Sequence, residues 1–431
     1  GNSESFHVDD WFVELDSTMI LHQAAFLSTA SAINENQEIS IVYTDHDHLD
    51  HSGNFCDPHM KPVWNADLFA AMDYLSPFVF CKKELWKFRM GYESDRHGFL
   101  LEATKGLSSS QIFHIPSVLA SVQTGYEDSY LKPPVRRPIY DVPVPEPLVS
   151  ILIPTRDQGR MLKKCLESLY EETKYSNFEI VLVNHETSES SALKVITEFG
   201  LKENFEVVNF SGDFNFAAMI NRAAEVASGD LFVLLNNDTE IFDAGWLREL
   251  VAQVSRPEVG IAGALLLFGD GTIQHAGIHP GLGGLMGHGH KHLPGDSSGY
   301  FSRLKAVHEV AAVTGACLAI EKATWFDLSG LDEENLAVAY NDVDLCLKVR
   351  QKNLKVIFTP FSKVFHHESV SRGIDDTPDR NTRLQNEIQV MQERWGDMLN
   401  HDPAYSPNLS FDGGGFSLAE IPKKNYFNTQ K

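Results

Sequence analysis

Three short clusters hold the side chains best suited to chemistry: Asn236-Asn237-Asp238, Asn341-Asp342-Val343-Asp344 and His366-His367-Glu368. Each falls just after an expected strand or at the start of an expected helix. A carboxylate and an imidazole suit Mn2+ or Mg2+, with the remaining coordination positions left to ligand oxygens such as those of a diphosphate. A cation held there would neutralise a departing diphosphate. A second carboxylate could take a proton from an incoming hydroxyl. Each cluster also has a plainer reading. Asx side chains bond their own backbone in turns, Asn and Asp cap helices, and a histidine pair at a strand end can be merely solvated.

These clusters need elements to position them. "LVSILIP" (148–154), "FEIVLVN" (178–184) and "DLFVLLN" (230–236) are apolar runs that read as strands buried on both faces. "GRMLKKCLESLYEET" (159–173) and "FNFAAMINRAAEVAS" (214–228) have apolar residues at helical spacing, the second stopped by Gly229. "NDVDLCLKVRQKN" (341–353) predicts a helix with acids at its positive end, and "LKVIFTP" (354–360) a strand. Strand-helix alternation implies an α/β fold with a mostly parallel sheet flanked by helices. Ligands in such sheets sit at the carboxyl ends of strands. The polar knot at 236–240 is therefore the expected ligand site.

The chain has 431 residues, of which 43% are apolar, enough for more than one packed domain. Its net charge of −23 argues against a broad nucleic-acid surface, and no nucleic-acid partner is expected. No apolar stretch approaches the ~20 residues that span a bilayer. The start, "GNSESFHVDD", is polar and acidic, without the pattern of a signal peptide. Five scattered cysteines, none in a C-x-x-C pair, fit free thiols in a reducing compartment. The expected location is the cytoplasm. "KPPVRRPIYDVPVPEP" (132–147) cannot be helical and reads as an extended linker. The expected organisation is a first domain over 1–131, this linker, a second domain over 148–380, and a tail helix with an irregular end over 381–431.

The order of the clusters resembles a family 2 glycosyltransferase of GT-A (Rossmann-like) fold. "VSILIPTRDQ" looks like that family's opening strand and turn. "FNFAAMINRAA" with "SGDLFVLLNNDTE" looks like the helix and strand leading to its D-x-D metal motif, here N-x-D. "TGACLAI" and "LSGLDEE" resemble the acceptor-side segment, and "NDVDLCLKVR" the one holding the base. "HHESVSRG" resembles the closing His motif of a subgroup that builds bacterial surface polysaccharides and often has tandem domains. Five motifs in order over about residues 146–375 are specific where each alone is weak.

The resemblance implies a role for each matching residue. Asp238 and His366 would bind the metal, with His367 able to exchange roles with its neighbour. Asp342 would be the general base of an inverting transfer. Thr155, Asp157, Asn184, Asn215, Asn221, Asn236 and Arg372 would contact the nucleotide-sugar. His275, Thr314 and Asn341 would lie on the acceptor side. Asn184 departs from the family's usual Asp, which weakens the case for UDP against TDP or GDP.

The first domain resembles the second half of the same fold, truncated and with its chemistry lost. Thr18 stands at the metal position, His97 at the base, and Ser121 where a His is expected. A non-catalytic domain packed on the second is the expectation. "YTDHDHLD" (43–50) then reads as a surface turn, and 279–299, with its "HGHKH", as a mobile lid or acceptor contact. The tail helix reads as a packing element whose Met, Trp and Ile could also touch a membrane.

The resemblance implies an inverting, metal-dependent transfer from a nucleoside-diphosphate-sugar to a glycan. The glycan would be lipid-linked, with peripheral contact at the inner membrane face. The rivals are a catalytically inactive glycan-binding or scaffold protein, and a nucleotidyltransferase. The second would want a Gly-rich, basic loop after the first strand, and "PTRDQGR" supplies little of one.

Overall fold

The computed structural model of the chain describes residues 10–15, 17–92, 95–123, 134–367, 378–399, 402, 404–412 and 415–420. The first unit has strands β1 (Trp11–Val13), β2 (Met19–Leu21), β3 (Ile41–Leu49), β4 (Phe55–His59), β5 (Val79–Lys82) and β6 (Ile112–Gln123). Helices α1 (Ala25–Glu35), α2 (Ala66–Ala71), α3 (Lys83–Trp86) and α4 (Arg96–Thr104) accompany them.

The second unit opens on β7 (Val149–Thr155), α5 (Gly159–Glu172), β8 (Phe178–His185), α6 (Ser190–Phe199), β9 (Phe205–Phe210), α7 (Phe216–Val226) and β10 (Leu231–Leu235). Then come β11 (Thr239–Ile241), α8 (Trp246–Val254), β12 (Val259–Leu267), β13 (Ile273–His275), β14 (Ile278–Pro280), β15 (Met286–His288) and β16 (His308–Glu309). It closes with β17 (Cys317–Glu321), α9 (Lys322–Asp327), α10 (Asn341–Gln351), β18 (Lys355–His366) and α11 (Pro378–Leu399).

The main sheet of the second unit runs β11-β18-β12-β17-β10-β7-β8-β9. Strands β10, β7, β8 and β9 are parallel, as their fully apolar runs require. Strand β17 runs against both β10 and β12. Helices α5, α6 and α8 cover one face; α7, α9, α10 and α11 cover the other. In α5 the spacing of Leu162, Leu166 and Leu169 puts all three on the buried stripe, each contributing ~2 kcal/mol by burial. The step from α7 to β10 needs glycine. A Cβ on Gly229 would lie 2.6 Å from the Ser150 backbone nitrogen. Strap residues 134–147 form neither helix nor strand. They pack on this unit through Val142 and Tyr140.

The first unit repeats the second half of the second. Its order, β1-β5-β3-β6-β2 with β4 on β3, matches β10-β17-β12-β18-β11 with β13 on β12, in the same relative directions. Even the register irregularity recurs, between Thr44 and Asp45 in β3 and between Ala264 and Leu265 in β12. Among the described residues, no strands of this unit correspond to β7, β8 and β9. The pairings Met19↔Val122 and Thr239↔His366 equate Thr18 with Asp238. They put Val122, and not Ser121 as expected, at the His366 position. His97, second in α4, matches Asp342, second in α10, and its Nε2 lies 2.7 Å from the Phe69 carbonyl oxygen.

Two stretches differ from expectation. Residues 43–50 are no surface turn: most lie in the central strand β3, with Asp45, His46 and His48 buried. Asp45 Oδ1 is 2.7 Å from His114 Nε2 and accepts from the Lys61 N–H at 2.8 Å; its other oxygen accepts from Asn408 at 3.3 Å. Residues 279–299 are no open lid. His279 and His290 are buried, His279 is 2.7 Å from Asp402, and His290 stacks on Phe416. This loop and the segment 402–416 wedge the units together. Tyr300 donates to the Pro58 carbonyl and accepts from the Met60 N–H, Phe301 stacks on His59 at 3.6 Å, and Arg303 donates to the Ala404 carbonyl.

Candidate active site

Strand β10 ends where Leu235 gives way to Asn236. The Asn236 N–H donates to the Ala316 carbonyl, and its own carbonyl accepts from the Thr239 hydroxyl at 2.8 Å, which closes a tight turn. Asn237 donates its side-chain amide to Thr155 Oγ1 at 2.8 Å, tying together the carboxyl ends of β10 and β7. The turn then presents Asp238, 4% exposed, toward β18. Because Thr239 pairs with His366, the imidazole arrives beside the carboxylate: His366 Nε2 is 3.0 Å from Asp238 Oδ1 and 3.2 Å from Asn236 Nδ2. On its other side, His366 Nδ1 is 2.7 Å from Gln274 Oε1. His367 turns away to Glu240 at 2.8 Å.

In front of this turn lies a cavity of about 400 Å³. Thr155, Arg156, Asp157, His185, Asn236, Asp238 and Arg383 are among its walls. Asp157 and the following Gln158 both take left-handed φ angles of 55°. Such backbone is held only where contacts over-determine it. Here the Asp157 carboxylate accepts from the N–H groups of Ser188 and Glu189, both at 2.8 Å. Those bonds, the Glu189 one first, hold its carboxyl below the usual range.

Asp342 is not on the cavity wall, but one loop joins it to the turn. Its Oδ2 accepts from the Gly315 N–H at 2.7 Å, and the next residue, Ala316, is the carbonyl partner of Asn236. A Cβ on Gly315 would lie 3.3 Å from that of Asp342, so the approach needs a small residue. Burial pushes the Asp342 carboxyl up, opposed by the Gly315 and Val343 N–H groups and the Thr314 hydroxyl.

The remaining expected site residues are distributed otherwise. Asn215 caps α7 through the Ala218 N–H. Asn221 exchanges bonds with Leu331 and reaches Glu333. Asn341 is buried and donates to the Leu336 and Val338 carbonyls. These three pin the 331–340 loop and are not on the cavity wall. Asn184 bonds Asn209 and the Thr187 N–H on the far side of its strand. Alternation then turns His185 to the cavity. His275 is buried, its Nδ1 2.9 Å from His288 Nδ1. His288, His290 and His292 diverge to His275, Phe416 and Phe268. Arg372 lies outside the described residues.

Arg383 and Gln274, like His185, escaped the sequence reading. Arg383 comes from α11, beyond the expected catalytic span. Gln274 is buried next to the histidine that drew attention. Among the described residues, no three His, Cys, Asp or Glu side chains gather as a metal cage. The donor set is instead a pair, Asp238 on the cavity wall and His366 3.0 Å from it. That suits a cation sharing its coordination with ligand oxygens.

Residues 150–291 match the model of glycosyl transferase family 2. The chain is 36% identical over 444 residues to the uncharacterized protein y4gI of Sinorhizobium fredii, covering 94% of this chain and 49% of that protein. It is 31% identical over 449 residues to the O-antigen biosynthesis protein RfbC of Myxococcus xanthus, covering 96% of this chain and 34% of that protein. The chain thus spans half or less of the length of these relatives. Among solved structures, it resembles that of GalNAc-T7 with UDP, GalNAc and Mn2+ at a TM-score of 0.48 and 17% identity, over 59% of this chain and 49% of that one.

Proposed function

Because residues 150–291 belong to glycosyltransferase family 2, we propose that the chain moves a sugar from a nucleoside-diphosphate-sugar to a glycan acceptor in bacterial surface polysaccharide synthesis. The observation that carries this reading is the meeting of His366 with Asp238 and Asn236, the latter two on the wall of a cavity that Thr155 and Asp157 also line. The likeness to a relative named for O-antigen biosynthesis, over 96% of this chain, supports the pathway. A lipid-linked acceptor and peripheral contact with the inner face of the membrane belong to the same proposal, as does a cytoplasmic location.

Asp238 and His366 would hold a divalent cation, Mn2+ or Mg2+, which when bound neutralises charge on the leaving diphosphate. The chain's own side chains do the rest. Thr155, Asp157 and His185 shape the nucleoside end of the cavity. Arg383 offers a fixed positive charge to phosphate oxygens. Asp342, its carboxyl raised by burial, accepts the proton of the acceptor hydroxyl as that oxygen attacks the anomeric carbon. A single displacement inverts the anomeric centre and leaves no covalent sugar-enzyme intermediate.

A thermal-shift panel of UDP-, GDP-, TDP- and CMP-sugars, with and without Mn2+, tests the reading. One donor should raise Tm, and more so with Mn2+ present, since a ligand bound only by the folded state stabilises it. No response to any donor would favour an inactive scaffold.

A further inference from the structure

The environment of His366 determines which ring nitrogen carries its hydrogen. Gln274 is 4% exposed and faces His366 through two contacts: its Nε2 lies 3.2 Å from the His366 backbone carbonyl oxygen, and its Oε1 lies 2.7 Å from His366 Nδ1. A carbonyl oxygen only accepts, so the amide nitrogen must be the atom facing it. That orientation leaves the amide oxygen, also an acceptor only, against Nδ1. The hydrogen between them must therefore sit on Nδ1. On the other side of the ring, Asp238 Oδ1 is 3.0 Å and Asn236 Nδ2 3.2 Å from Nε2.

We propose that Gln274 is a positioning residue that keeps a hydrogen on His366 Nδ1, so that Nε2 is the ring atom turned to Asp238. The proposal rests on the reading of Asp238 and His366 as a cation seat. At 3.0 Å from the Asp238 carboxylate, Nε2 is held by a ring proton or by a cation that takes the proton's place. The orientation of the ring in the seat is thereby preset before any ligand arrives. Outer partners of ligating histidines act in this way, by fixing tautomer and ring orientation. Gln274 is itself held by the short strand β13, whose neighbouring residues Ile273 and His275 pair with Leu267 and Leu266 of β12.

The test uses the full chain labelled with 15N. Long-range 1H–15N spectra at pH 7.5 report the His366 tautomer, with the signal assigned by its loss in His366→Asn. Wild type should show Nδ1–H without added metal. Gln274→Met should shift the ring toward Nε2–H, whereas Gln274→Glu keeps an acceptor at Nδ1 and should retain the wild-type tautomer. Mn2+ affinity is then read by electron paramagnetic resonance with the nucleoside diphosphate selected by the thermal-shift panel. Gln274→Met should weaken it roughly 10–100-fold, and Gln274→Glu should restore most of that loss. A wild-type ring with no hydrogen on Nδ1 would overturn the proposal. So would unchanged Mn2+ affinity in Gln274→Met. Wild type that shows the Nδ1–H tautomer but binds no Mn2+ would remove the cation seat itself, a failure of the functional reading that the tautomer measurement keeps separate.

Discussion

At the scale of single residues, two side chains lead to measurable differences. Asp342 is held by the Gly315 N–H and raised by burial. If it is the base, Asp342→Asn should lower turnover by roughly 10²–10⁴-fold while nucleotide binding, read by calorimetry, stays within threefold. Lost binding would make it a ligand-holding residue. A base works only when deprotonated, so the acid limb of the rate profile should sit above the ordinary carboxylate range near ~4. A limb at or below that value would remove Asp342 from the role. Arg383 stands on the cavity wall; Glu387, its 3.7 Å neighbour, also accepts from the Val338 and Ala339 N–H groups. Arg383→Ala should weaken nucleoside diphosphate binding by roughly 10–100-fold, as expected for losing one charge-assisted bond, and weaken the monophosphate far less. Equal losses for both would point to a collapsed pocket.

At the scale of elements, α11 is a clamp. Its Met391, Trp395 and Leu399 enter the core. Arg394 reaches Asp344 and Asp332, both at 2.7 Å, and the Trp395 indole N–H donates to Asp344. Arg394→Ala leaves Asp344 fully buried with Lys348 as its remaining ion-pair partner. A loss of about 1–3 kcal/mol in urea unfolding is expected; a change under ~0.5 kcal/mol would show that Lys348 and Trp395 suffice. This clamp also marks where the sequence stops speaking. The strands β7, β8 and β10 are legible because a strand covered on both faces must be apolar throughout. Asp238 is legible because it terminates such a run. The pairing of His366 with Thr239, the loan of Arg383 from a helix more than 140 residues after Asp238, and the amide of Gln274 depend on long-range register. No local period encodes that register. The acids and histidines of β3 misled for the same reason: the partners of Asp45, His114 and Asn408, are remote.

At the scale of the molecule, the two units share one buried polar seam. His59, His290 and His308 lie in or beside it, and burial pushes all three below the usual imidazole range, His308 to about 4. A depressed folded value means that the unfolded chain takes up protons first as the pH falls. Stability is therefore lost from about pH 6.5 downward toward 4, by about 3 kcal/mol for His308 alone. Tm measured by calorimetry from pH 8 to 4.5 should fall steeply below 6.5. A flat profile would mean that these histidines are solvated and the seam is open.

Asp45 in the third strand of the first unit meets Asn408, 363 positions later. A chain made from one end to the other therefore cannot finish this unit until residue 408 has left the ribosome. Until then that unit waits with a carboxylate and several imidazoles exposed along its seam. A nascent-chain series lengthened across residues 402–416 should show protease resistance of the first unit rising late, as the wedge emerges.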